Sequence, residues 1–156
     1  MGGNGSFSKI VGKELSNQHT HWEYDERIMG HKILVLEDDM SHIKTPMNSH
    51  SENPIYLCGK VDKTSGTITI ETIAKYEKHK LIETIDIEVD KNGNFVEYSS
   101  DGKGSHSHKW FIKEDGTIGR KSHDKSNTFP ISMSDMELVN KVVEFNKEGK
   151  KWTSGK

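Results

Sequence analysis

Cysteine, proline and long apolar runs are scarce in this chain, and each scarcity excludes something. A single cysteine, Cys58, rules out an intramolecular disulfide framework and suits a reducing compartment. No segment approaches the roughly 18 consecutive apolar residues that a membrane-crossing helix needs. The opening residues also lack the basic-then-apolar order of a secretory signal. The expected location is cytoplasmic, with no membrane partner.

An excess of one charge is missing as well. The 22 Lys and Arg against 24 Asp and Glu leave a formal net charge of −2, so no global field recruits nucleic acid or an anionic surface. Any anion site must be local. Walker, G-x-G-x-x-G, CxxC and G-x-S-x-G patterns are absent, which argues against the best-marked nucleotide, zinc-ribbon and serine-hydrolase classes. The 31% of hydrophobic residues predicts a thin core, and 156 residues suit one domain. Met1, Gly2 and Ser6 match the loose N-myristoylation pattern, but Gly3 and Gly5 beside them read as a flexible leader.

What is present is strand patterning. Ile33 to Leu36 form a continuous apolar run, too short for a helix and suited to a strand buried on both faces. Ser41 to Ser49 reads as a short helix that Pro46 disfavours. Ile55 to Val61 and Thr67 to Ile73 form a hairpin about Thr64, Ser65 and Gly66. His79 to Val89 alternates, with acidic residues opposite Leu81, Ile85 and Ile87, before an Asn92-Gly93 turn and a return strand over Phe95 to Tyr98. A further hairpin runs from Lys109 to Arg120 through Asp115 and Gly116. Ser134 and Glu137 have capping-box spacing ahead of an amphipathic helix carrying Met136, Leu138, Val139, Val142, Val143 and Phe145 and ending near Gly149. The expectation is an α+β fold: an antiparallel meander sheet with a C-terminal helix packed on it. Residues 1–27 read as a loose N-terminal arm, 28–149 as the single domain and 150–156 as a basic tail.

Reactive side chains concentrate between Gly104 and Pro130, where His106, His108 and His123 stand near Arg120 and Lys121. On a strand, the spacing of two puts His106 and His108 on one face, about 7 Å apart at Cα. Two chemistries suit this grouping. Metal-independent phosphodiester cleavage would use the histidines for proton transfer, Arg120 or Lys121 to offset phosphate charge, and Lys109, Ser126, Asn127 and Thr128 to bind an RNA substrate. That reading needs no cofactor. Alternatively, His106 and His108 hold one transition metal ion, with His123 or Glu114 as a third ligand, although Lys109 beside the pair would oppose the cation. Against both stands the plain reading of solvent-exposed polar residues on a hairpin and loop.

The Met-Gly-Gly-Asn-Gly-Ser opening, Glu52-Asn53-Pro54-Ile55-Tyr56-Leu57, the Gly104 to Trp110 stretch and His123 to Pro130 resemble small phage- and prophage-encoded proteins of uncharacterised activity. That resemblance implies a mobile-element context. It adds a third reading, a non-catalytic accessory protein with a host or phage protein partner. A broader similarity is to the barnase, EndoU, colicin and RelE-like nucleases, which use His, Lys or Arg without a metal. It implies a role for His106, His108, Arg120, Lys121 and His123 by residue type, and in those families the helix commonly precedes the sheet.

Overall fold

Most of the strands expected from the sequence join one seven-stranded sheet in the computed structural model, which describes residues 9–10, 21–36, 45, 49, 51–52, 54–99, 103–112, 114, 118–119 and 127–152. The strands are β1 (Lys9–Ile10), β2 (His21–Ile28), β3 (His31–Leu36), β4 (Ile55–Val61), β5 (Ile68–Glu77), β6 (Lys80–Asp86) and β7 (His106–Lys109), lying side by side in chain order. A separate pair, β8 (Phe111–Ile112) and β9 (Ile118–Gly119), is antiparallel. The helix α1 (Met136–Glu148) follows a short 3-10 turn, Met133–Asp135. The fold is α+β.

Four expectations need correction. β3 and β4 run parallel, so the sheet is mostly but not wholly antiparallel. A parallel neighbour requires the chain to return to the same end, which is why a long stretch separates these two strands whereas a tight turn joins β4 to β5. Residues 21–27 are not part of a loose arm: β2 pairs with β3, and Tyr24 is buried against Phe145 and Trp152. The start of the basic tail is likewise docked, since Trp152 is buried and Lys151 bridges to Thr67. The return strand expected over Phe95 to Tyr98 contracts to a single bridge between Val89 and Phe95. The short helix expected over Ser41 to Ser49 lies largely outside the described residues.

The period of two sorts side chains onto two faces. Ile33, Val35, Leu57, Ile70, Ile73 and Ile85 meet Leu138, Val139, Val142, Val143 and Phe145 of α1, forming the main core. Asn146 docks the helix further: its side chain accepts from the Ile70 N–H at 2.8 Å and donates to the Ile70 carbonyl at 3.0 Å. These bonds satisfy the backbone next to the irregularity at Cys58 and Gly59, where the β4–β5 ladder shifts register. Asp135, the residue before the helix, makes no side-chain cap, so Ser134 and Glu137 form no capping box. Ser132 instead donates its hydroxyl to the Asp135 carboxylate at 2.8 Å. Gly149 ends the helix in the left-handed conformation.

The other face carries Leu34, Tyr56, Cys58, Ala74, Tyr76 and Leu81, with Trp110 packed against them. Strand register lines up Leu34, Cys58, Thr72, Asp86 and His106 in one row across β3 to β7. The adjacent row ends in Thr84 and His108. This face changes from apolar to polar as it nears the edge of the sheet.

Candidate functional site

At that edge Asp86 pairs with His106, and Thr84 with His108, so the carboxylate and both imidazoles stand on the same face. His106 Nε2 lies 3.1 Å from His108 Nε2, and Asp86 Oδ2 lies 3.5 Å from the first and 3.3 Å from the second. The rings meet edge to face, with centroids 4.7 Å apart.

The opposite nitrogen of each ring decides the protonation. His106 Nδ1 is 2.7 Å from the Gly104 carbonyl, and His108 Nδ1 is 2.6 Å from the Asn127 carbonyl. A carbonyl only accepts, so both rings carry a proton on Nδ1 and turn Nε2 toward each other and toward Asp86. Two imidazole lone pairs and a carboxylate oxygen this close repel unless a positive charge sits among them. A shared proton or a metal cation would serve. A tetrahedral metal with bonds of 2.0 to 2.1 Å has ligand-to-ligand edges of about 3.3 to 3.4 Å. The three observed edges bracket that value. The Nδ1–H to carbonyl bonds are also the outer support that orients metal-binding histidines and raises their basicity.

Asp86 divides its two oxygens. Oδ2 faces the histidines, while Oδ1 accepts from the Thr72 hydroxyl at 3.3 Å. Burial pushes its carboxyl pKa up, but the hydrogen bonds that His106 and His108 donate when protonated, with the positive charge they then carry, outweigh that and hold it well below the usual carboxylate range. Its side chain is 39% exposed against 1% for His108, so the cluster opens to solvent on the Asp86 side.

Local backbone geometry builds the rest. Gly104 has φ of +82°, and an added Cβ would run into the Glu97 carbonyl, so only glycine fits where this carbonyl must meet His106. Asn127 clamps the edge strand: its side chain accepts from the Lys109 N–H at 2.9 Å and donates to the Lys109 carbonyl at 3.1 Å. Ser107 and Phe129 exchange two backbone bonds beside it, at 2.9 and 3.0 Å. The Asn127 carbonyl is thereby held against His108.

The expected site residues divide accordingly. His106 and His108 come together and are buried, which removes the solvent-exposed reading. Lys109 points to the other face, 3.4 Å from Glu83 and over the Phe129 ring. It therefore does not oppose a cation at the histidines, and it does not reach a substrate there. Asn127 acts through its clamp and its carbonyl. Thr128 is buried, and its carbonyl accepts from the Tyr98 hydroxyl at 3.2 Å. Glu114 is an exposed turn residue outside the grouping, while Arg120, Lys121, His123 and Ser126 lie outside the described residues. Sequence reasoning missed Asp86, Thr72 and Gly104. The signal for Asp86 was the acidic side of the β6 alternation, needing only the pairing of that strand with His-x-His.

Comparison with family models, with curated proteins and with solved structures finds no match to this chain. The functional reading rests on the geometry.

Proposed function

We propose that the protein binds one divalent transition metal, with zinc the leading candidate, through Asp86, His106 and His108, and uses it for metal-assisted hydrolysis. The convergence of Nε2, Nε2 and Oδ2, all within 3.5 Å of one another, behind two Nδ1–H to carbonyl bonds, carries this reading. Borderline metals favour imidazole and carboxylate donors. Three protein ligands and solvent access at Asp86 match the pattern of hydrolytic centres, in which a water fills the fourth position and becomes the nucleophile.

Metal-independent ribonuclease chemistry by His106, His108 and His123 with Arg120 and Lys121 makes a different demand. There, imidazole nitrogens must reach the substrate, whereas His108 is 1% exposed and its Nε2 faces His106 and Asp86. The experiment separates the two. Protein purified without chelator or affinity-tag metal should hold close to one equivalent of transition metal by elemental analysis. Asp86→Asn, His106→Ala and His108→Ala should each bind it at least about tenfold more weakly while retaining a native circular-dichroism spectrum. Negligible metal, with no thermal shift on adding zinc, would overturn the proposal. RNA cleavage in EDTA that is lost in the histidine variants would support the metal-free reading instead.

A further inference from the structure

The carboxylate of the site is held from a second side. Thr72 on β5 and His106 on β7 flank Asp86 on β6 in one row across the sheet. The Thr72 hydroxyl donates to Asp86 Oδ1 at 3.3 Å, whereas Oδ2 stands 3.5 Å from His106 Nε2 and 3.3 Å from His108 Nε2. One oxygen is thus drawn toward β5 and the other toward β7. A carboxylate split in this way offers a cation one oxygen, while an untethered one can turn and offer two.

The backbone around Thr72 fixes that split. Cys58 pairs with Thr72 but the next residue, Gly59, pairs with Ile70, so Glu71 is an extra residue that forms a bulge in β5. Bulges bend a strand and re-aim the side chain beside them. An added Cβ at Gly59 would lie 2.6 Å from the Thr69 carbonyl oxygen, so the close approach of the two strands there requires glycine. The Glu71 carbonyl accepts from the Ile87 N–H at 2.9 Å, which ties the bulge to the residue after Asp86. Thr72 itself is buried and branched at Cβ, so its hydroxyl has few alternative directions.

We infer that Thr72 is a positioning residue that sets which metal the site prefers: by holding Asp86 Oδ1 it keeps Asp86 a one-oxygen ligand beside His106 and His108. The inference rests on the metal reading. Three donors and an open position suit four-coordinate zinc or cobalt(II). A second carboxylate oxygen would raise both the coordination number and the share of oxygen donors, which suits manganese(II). Loss of the hydroxyl therefore relaxes the preference rather than merely weakening binding.

Titration of the full chain with cobalt(II) and with manganese(II) tests this. Tetrahedral cobalt(II) has no inversion centre, so its visible bands are strong and fade as the coordination number rises. Thr72→Val keeps the shape and removes the donor, whereas Thr72→Ser keeps the donor. Thr72→Val should lower the cobalt-over-manganese affinity ratio at least about tenfold, with weaker cobalt bands. Thr72→Ser should restore both the ratio and the bands. Thr72→Ala carries the same expectation as Thr72→Val and replaces it if that variant does not fold. No cobalt binding by wild type would overturn the metal reading and this inference with it. Wild-type binding with an unchanged ratio and spectrum in the folded hydroxyl-free variant, including equal weakening of both metals, would overturn this inference alone.

Discussion

The two faces of this sheet come from alternate residues of the same strands, yet they are built to different ends. On one, Ile33, Leu57, Ile73 and Ile85 meet an aliphatic helix stripe. On the other, Leu34, Cys58, Thr72, Asp86 and His106 run from apolar to ionisable along one row. Each face also has an asparagine that grips a strand backbone through both amide atoms: Asn146 on Ile70 and Asn127 on Lys109. The first brings a helix onto the core, and the second brings a carbonyl onto His108. The same local device thus serves packing in one place and site geometry in the other, according to what its segment carries.

The largest expected effect breaks the helix face alone. Phe145 is buried and meets the Tyr24 ring edge-on at 6.1 Å. Phe145→Ala should cost about 3 to 5 kcal/mol by urea denaturation. Under conditions where the variant stays folded, its metal affinity should equal that of wild type. An unchanged urea midpoint would remove this side chain from the core, and a matching loss of metal affinity would mean that the two faces are not independent.

The two asparagines sharpen the contrast at smaller scale. Asn146→Ala leaves the Ile70 N–H and carbonyl without their side-chain partners, which should cost about 1 to 3 kcal/mol of stability and no metal affinity. Asn127→Ala should show the converse emphasis. By loosening the carbonyl that holds the His108 ring, it should weaken zinc binding about tenfold in a competition titration. Equal effects of both variants on zinc affinity would dissolve the distinction.

How much of this was legible in the sequence follows the range of the interactions. The C-terminal helix, the β4–β5 hairpin and the shared face of His106 and His108 rest on local periods and turn residues and stand as read, whereas the return strand expected over Phe95 to Tyr98 is reduced to one bridge. The parallel β3–β4 pair was not legible, because a parallel partner is chosen by the path of the intervening chain rather than by either strand's own pattern. β2 was hidden for a different reason: charged residues intersperse His21–Ile28, and Tyr24 is buried only because Phe145 and Trp152 arrive from far along the chain. The site was half legible. The His-x-His pair announces itself, whereas Asp86 becomes a candidate ligand only when β6 and β7 pair in one register.

The smallest expected effect asks whether the apolar half of the site face is as tightly closed as the helix face. Cys58 is fully buried in the row that leads to Asp86, and burial pushes its thiol pKa up to about 12. The unfolded thiol ionises near 8.5. A group whose folded pKa is raised contributes stability that is complete below the unfolded value and is lost as pH rises toward the folded one. Between those limits the unfolded state releases a proton that the folded state keeps, so alkali favours unfolding. Cys58→Val has no thiol to ionise and nearly conserves volume. The stability difference between wild type and variant should therefore be constant below about pH 7.5, and wild type should fall relative to the variant by about 0.8 kcal/mol at about pH 9. Parallel urea denaturation at the two pH values measures this. A difference that does not change with pH would mean that Cys58 ionises as readily in the folded protein as in the unfolded chain, and the row from Leu34 to His106 would then be open along its length rather than only at Asp86.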